Sequence, residues 1–121
     1  MEEPQMSCAA QTNLCICQGS NLQQKFRWLI DDSPVDLTGY TARSMFRDTA
    51  DSTTVALSLT SAAGTISLGG VSGTIILSAS AASTSAITAG RYVFDLEMVS
   101  STGFVKRLVE GTATFTREVT R

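Results

Sequence analysis

The sequence predicts an all-β fold, an antiparallel β-sandwich of about seven to eight strands with at most one short helical turn. Three observations carry that expectation. Apolar and polar residues alternate with period two through much of the chain, as in "LQQKFRWLI" and "RYVFDLEMV". Turn-forming clusters such as DDSP, GG and STG interrupt these runs at short intervals. Serine, threonine, alanine and glycine are in excess, and the small and β-branched side chains suit strands and turns.

Taken in order, residues 1–12 are polar, small and unpatterned, which predicts a flexible amino-terminal arm, with 13–121 as one sandwich domain. Cys15 and Cys17 should share one side of a strand, with Ile16 opposite. In "LQQKFRWLI", Gln24, Phe26, Trp28 and Ile30 fall on one face and Gln23, Lys25 and Arg27 on the other, making Trp28 a core anchor. DDSP then turns the chain. Tyr40, Ala42, Ser44 and Phe46 alternate with Thr41, Arg43, Met45 and Arg47 in a second strand with a cationic outer face, and "TTVALSLT" supplies a third. "GTISLGG" and "GTIILSA" read as two short strands joined by a glycine-rich turn. The alanine-rich stretch 78–90 predicts a short helical turn ending at Gly90. "RYVFDLEMV" places Tyr92, Phe94, Leu96 and Met98 inward and Val93, Asp95 and Glu97 outward. The chain then returns through "FVKRLVEGTATFTREVT", with a bulge expected at Gly111. The predicted core is Trp28, Phe46, Tyr92, Phe94 and Leu96, with Tyr40 beside it.

A chain of 121 residues and 12.8 kDa fits one domain, and a domain of this size buries about 65% of its unfolded surface. The net charge of −2 gives no general electrostatic reason to approach nucleic acid, whose binding rests on Lys and Arg neutralising phosphates. The start "MEEPQMSC" lacks the basic and long apolar regions of a secretory signal, so synthesis in a cytoplasm is expected. No run approaches the roughly 20 apolar residues that span a bilayer as a helix.

Candidate sites are few. In DLTGY, Asp36 and Thr38 are expected to bond nearby backbone, Gly39 to take a positive φ, and Leu37 and Tyr40 to plug the end of the sandwich. Asp95 and Glu97 share a strand face, where pairing with Arg43, Arg47 or Arg107 is the expected role rather than acid–base chemistry. Cys8, Cys15 and Cys17 are one thiol short of a closed tetrahedral site, and histidine is absent. Free thiols, disulfides within or between subunits, and a metal or iron–sulfur site shared around a symmetry axis all remain open. The glycines of "GTISLGGVSG" lack the strand-to-helix context of a phosphate loop. Without histidine or a suitably placed lysine, nothing in the sequence activates the many hydroxyls. No catalytic residue and no cofactor is expected.

Four segments, "CICQGSNLQQKFRW", "PVDLTGYTARSMFR", "AGRYVFDLEM" and "RLVEGTATFTREVTR", resemble in order and spacing the small immunoglobulin-like sandwich proteins of tailed bacteriophages. The likeness is to the amino-terminal domains of baseplate upper proteins and related tail or collar components, and covers about residues 13–121. It implies a virion structural protein that docks onto other phage structural proteins, in several copies around a symmetric ring. The sequence ends at Arg121, just after the sandwich, so an accessory, collar or decorating role is expected rather than host recognition. A glycan- or host-surface-binding module is the alternative, and a cysteine-based metal-binding protein a further one.

Overall fold

The computed structural model describes residues 9–120, and the alternating segments become ten strands. In chain order these are β1 (Ala10–Cys17), β2 (Leu22–Arg27), β3 (Leu29–Ile30), β4 (Ser33–Pro34), β5 (Thr41–Arg47), β6 (Leu57–Thr60), β7 (Ile66–Leu68), β8 (Thr74–Ala79), β9 (Gly90–Val99) and β10 (Val105–Thr116). A 3-10 turn covers Gly70–Ser72, and a short helix, α1, covers Ala81–Ser85. One sheet has five strands in the order β1-β10-β9-β5-β6, the other three in the order β2-β8-β7, and β3-β4 form a separate small hairpin. The fold is an all-β sandwich.

Pairing is antiparallel throughout except that β1 runs parallel to β10, with Ala10 opposite Val109 and Cys17 opposite Thr116. The wholly antiparallel expectation is corrected here. A parallel pair needs a long crossover, and almost the whole domain separates these two strands. The same pairing moves the expected domain boundary: Ala9 is buried, and residues 10–12 form a ladder with 109–111 rather than belonging to an arm. The remainder of the expected arm, with Cys8, lies outside the described residues.

The two inner faces differ in character. On the five-stranded sheet Phe46 stacks on its cross-strand neighbour Phe94, with ring centroids 5.1 Å apart, and Phe115 meets Phe46 and Tyr92 edge to face. On the three-stranded sheet Leu22, Ile66, Ile75 and Leu77 supply aliphatic volume. Phe46, Tyr92, Phe94 and Leu96 are therefore core residues. Trp28 is not a central anchor: it is half-buried at the rim, edge to face with half-buried Tyr40 at 5.8 Å.

Two features tie this sandwich to the immunoglobulin arrangement. Its sheets have the order of a G-F-C sheet flanked by two further strands, opposite a B-E-D sheet. At the start of β9 the Tyr92 hydroxyl donates to the Thr88 carbonyl at 2.6 Å, the tyrosine corner of that fold. Two residues later, where antibody domains carry a disulfide cysteine, this chain has Phe94.

The departures from the sequence reading each have a contact that explains them. The expected first long strand breaks at Trp28, whose N–H donates to the Gly73 carbonyl (2.8 Å) and whose carbonyl accepts from Val35 (2.9 Å). Beyond it, Asp31 and Asp32 both take positive φ (51° and 67°), as a two-residue type I′ hairpin requires, and Ile30 turns outward instead of inward. The helical turn forms, capped by the Ser80 hydroxyl on the Ser83 N–H, but ends at Ala86 rather than Gly90. The bulge lies between Arg107 and Val109, not at Gly111. Gly111 has a different reason to be glycine: a Cβ there would run into the Thr12 carbonyl of β1.

Two stability predictions follow from the packing. Phe46→Ala should cost about 3–5 kcal/mol in urea unfolding, and Trp28→Ala clearly less, because only the phenylalanine leaves an enclosed cavity. Gly111→Ala should cost about 1–3 kcal/mol by overpacking. Hydrogen exchange should locate that loss in β1, with the amides of Leu14 and Ile16 losing protection while those of β9 keep theirs.

Candidate interaction surface

The DLTGY corner organises one end of the sandwich. The Asp36 carboxylate accepts from the Thr38 N–H at 3.0 Å and from the Thr38 hydroxyl at 2.6 Å. These bonds, the hydroxyl's foremost, hold the Asp36 carboxyl below its ordinary pKa. The Tyr40 N–H closes a turn onto the Leu37 carbonyl at 2.9 Å, with Gly39 at φ 85° in the third position. Leu37 is buried, and Tyr40 half-buried. The corner turns at Gly39 as expected, but the Thr38 hydroxyl bonds the Asp36 side chain and not the backbone.

Three neighbouring segments meet around it, one of them hydrogen-bonded to the corner itself. The Leu37 N–H donates to the Gly70 carbonyl at 2.9 Å, joining the corner to the 3-10 turn of the opposite sheet. Trp28 bonds Gly73, as above, and Arg27 Nε donates to the Ser72 carbonyl at 3.2 Å. A Cβ on Gly39 would stand 3.5 Å from the Ser101 Cβ, which places the β9–β10 turn against the corner. That turn is itself closed by Ser100 and Phe104, bonded backbone to backbone at 2.9 Å and through the Ser100 hydroxyl at 3.0 Å.

Large apolar side chains project from these braced segments. Leu29 and Ile30 stand on the β3-β4 hairpin, Val71 on the 3-10 turn, and Phe104 just past the β9–β10 turn, with exposures of 43%, 57%, 72% and 66%. Val105, which opens β10, is also exposed. An exposed leucine alone is unremarked in any protein; several on one rigid end form the kind of surface that partners cover. The sequence reading missed this surface because it continued the first strand through Ile30. The available signal was the LI-DD-SP pattern, which reads as a tight hairpin.

The outer face of the five-stranded sheet is different chemistry. It carries an open depression of about 620 Å³ lined by Arg43, Asp95, Glu97, Arg107 and Glu110. Arg43 pairs with Glu97 at 2.8 Å, and Arg107 reaches Glu110 at 3.3 Å and Asp95 at 3.7 Å. Arg47 instead donates to the Ser52 carbonyl at 2.9 Å, holding the connection between β5 and β6. Desolvation, then the nearby Glu97, push the Asp95 carboxyl above its ordinary pKa; Arg107 opposes, Glu110 adds to the rise and Arg43 opposes again. Exposed pairs of this kind contribute roughly 0–1 kcal/mol each. The face is a solvated charge network.

Cys15 and Cys17 are free thiols, exposed on this same outer side of β1, with Leu14 and Ile16 facing the core. Among the described residues, no group of three or more Cys, Asp or Glu is arranged to hold a metal ion.

No family model matches the sequence, and no curated protein matches it.

The Asp95 shift fixes a pH dependence. Its folded-state pKa is raised, so below the unfolded value near 3.8 it is protonated in both states and contributes nothing. As pH rises through the folded value, ionisation destabilises the native state. Asp95→Asn should therefore match the wild type in Tm near pH 3 and exceed it near pH 7; an Asn variant less stable at neutral pH would show that the Arg107 contact outweighs desolvation.

Proposed function

We propose that this chain is a structural docking module of a tailed-phage virion, synthesised in the host cytoplasm, which engages another phage structural protein through the loop end of its sandwich. The observation that carries the docking part is the group Leu29, Ile30, Val71 and Phe104, exposed on hydrogen-bonded turns that meet around the DLTGY corner. Covering one such side chain contributes about 1.5–3 kcal/mol. Because the loops are hydrogen-bonded beforehand, little ordering cost offsets that gain on binding. Copies held in a ring add such contacts through effective concentration.

The virion setting is supported by the likeness of the four sequence segments to sandwich domains of phage tails, baseplates and collars. A glycan-binding reading has one observation in its favour, the exposed ring of Phe104. Its exposed neighbours Leu29, Ile30 and Val71 are aliphatic, whereas ligand sites orient small molecules with convergent polar groups. The docking reading accounts for all four.

Antibody raised against the purified chain should label gradient-purified particles of the phage that encodes it, at a fixed copy number that survives washing in high salt. Replacing Phe104 by Ser should leave the fold intact, since the side chain is exposed, and reduce incorporation about tenfold or more, the equivalent of 1.4 kcal/mol. Confinement of the protein to the particle-free fraction of infected cells would overturn the virion role. Binding of the isolated chain to a glycan, lost in the Phe104 variant, would favour the alternative.

A further inference from the structure

β2 borders the three-stranded sheet and is paired with β8 on one side. In the A-B-E-D sheet of an immunoglobulin domain, strand A flanks strand B. Here β1 joins the other sheet beside β10, and among the described residues no strand stands on the outer side of β2.

The register shows which backbone groups this leaves at the edge. The Trp28 N–H makes the last bond of the ladder, to the Gly73 carbonyl at 2.8 Å, beyond Phe26 opposite Ile75 and Gln24 opposite Leu77. In an antiparallel ladder alternate residues turn both backbone groups to the same neighbour. Leu22, Gln24 and Phe26 therefore bond β8, and Gln23, Lys25 and Arg27 direct their N–H and C=O groups outward. The Lys25 carbonyl accepts a long bond, 3.4 Å, from the Gln24 side-chain amide, which an incoming N–H can replace.

The side chains of these edge residues are of one sign. Lys25 and Arg27 are exposed on the outer face, opposite Ile76 and Thr74 of β8, and neither forms an ion pair among the described residues. Arg27 donates from Nε to the Ser72 carbonyl and keeps its terminal N–H groups. On the wide sheet, by contrast, Arg43 and Arg107 are both matched by carboxylates. On the inner side of the β2 edge, Phe26 is half-buried against the core.

A second copy does not suit this edge. Two β2 strands paired about a two-fold axis set Lys25 and Arg27 among their own counterparts on one face, and like charges directly opposite are destabilising. We infer that the β2 edge receives an extended segment of a partner protein as an added strand, with carboxylates at alternate positions against Lys25 and Arg27 and apolar side chains between them over Phe26. Main-chain bonds to Gln23, Lys25 and Arg27 supply affinity, and the alternation of the incoming side chains supplies selectivity. This surface is distinct from the apolar loop end, and the inference does not rest on the virion reading.

The test uses the full chain and two capped synthetic peptides in which valine alternates with glutamate or with lysine. At pH 7 and low ionic strength the glutamate peptide should bind, and exchange of the Gln23, Lys25 and Arg27 amides with solvent, followed by NMR, should slow about tenfold or more. The Gln24 and Phe26 amides, already in the ladder, should change little. Lys25→Glu with Arg27→Glu should weaken the glutamate peptide about tenfold or more and admit the lysine peptide instead. Unchanged protection of Gln24 and Phe26 in that variant verifies its fold. A control on the wild-type chain needs no variant: N-methylating the glutamates in one version of the peptide and the valines in another should abolish binding of one version only, because an added strand turns alternate N–H groups to β2. Binding of neither unmodified peptide, equal binding of both, equal binding of the two N-methylated versions, or a complex that leaves the Lys25 amide unprotected would overturn the inference.

Discussion

The contact on which the rest depends is that between an aromatic sheet face and an aliphatic one. Phe46, Phe94, Tyr92 and Phe115 supply ring volume from the wider sheet, and Leu22, Ile66, Ile75 and Leu77 supply aliphatic volume from the narrower. The stacked pair occupies the region that a disulfide and tryptophan hold in antibody domains. Enclosed ring surface there contributes stability where antibody domains carry a staple.

Once the inner faces are committed in this way, the remaining chemistry can only appear on outer faces, edges and ends. The outer face of the wide sheet closes on itself through Arg43–Glu97 and Arg107–Glu110. The loop end has no such closure. The 3-10 turn is bonded to the corner and the β3-β4 hairpin is bonded back at Trp28 and Val35, and the large apolar side chains of this end face outward. The distinction is physical: charges in open water satisfy one another cheaply, whereas apolar groups on a rigid scaffold gain only when a partner covers them.

The extent to which the sequence revealed this follows from the range of the interactions involved. Period-two alternation found β5, β8, β9 and β10 and the inward set Ala42, Ser44, Phe46, Tyr92, Phe94, Leu96 and Met98, because side-chain direction in a strand is a local property. DLTGY was readable for the same reason: Asp36, Thr38 and Gly39 satisfy their requirements within five residues. Trp28 was misplaced because the ladder with β8 ends there: the Gly73 N–H, 45 residues away, turns to the Gly70 carbonyl, and the Trp28 carbonyl accepts from Val35 instead. Gly111 was read as a bulge because the strand that forces it to be glycine is β1, paired from the other end of the chain. The exposed loop end was missed because the first strand was read as running on through Ile30, whereas Asp31 and Asp32 at positive φ make a tight hairpin that leaves Leu29 and Ile30 exposed.

The parallel β1–β10 pair also orders the strands by how they are acquired. β5, β6, β9 and β10 can pair through successive closures of moderate length, but β1 meets β10 only after a loop of almost the whole domain has closed, and closure entropy rises with that length. What holds β1 in place is its register: Leu14 and Ile16 reach the core, and Gly111 lets the strand approach where any other residue would push it away.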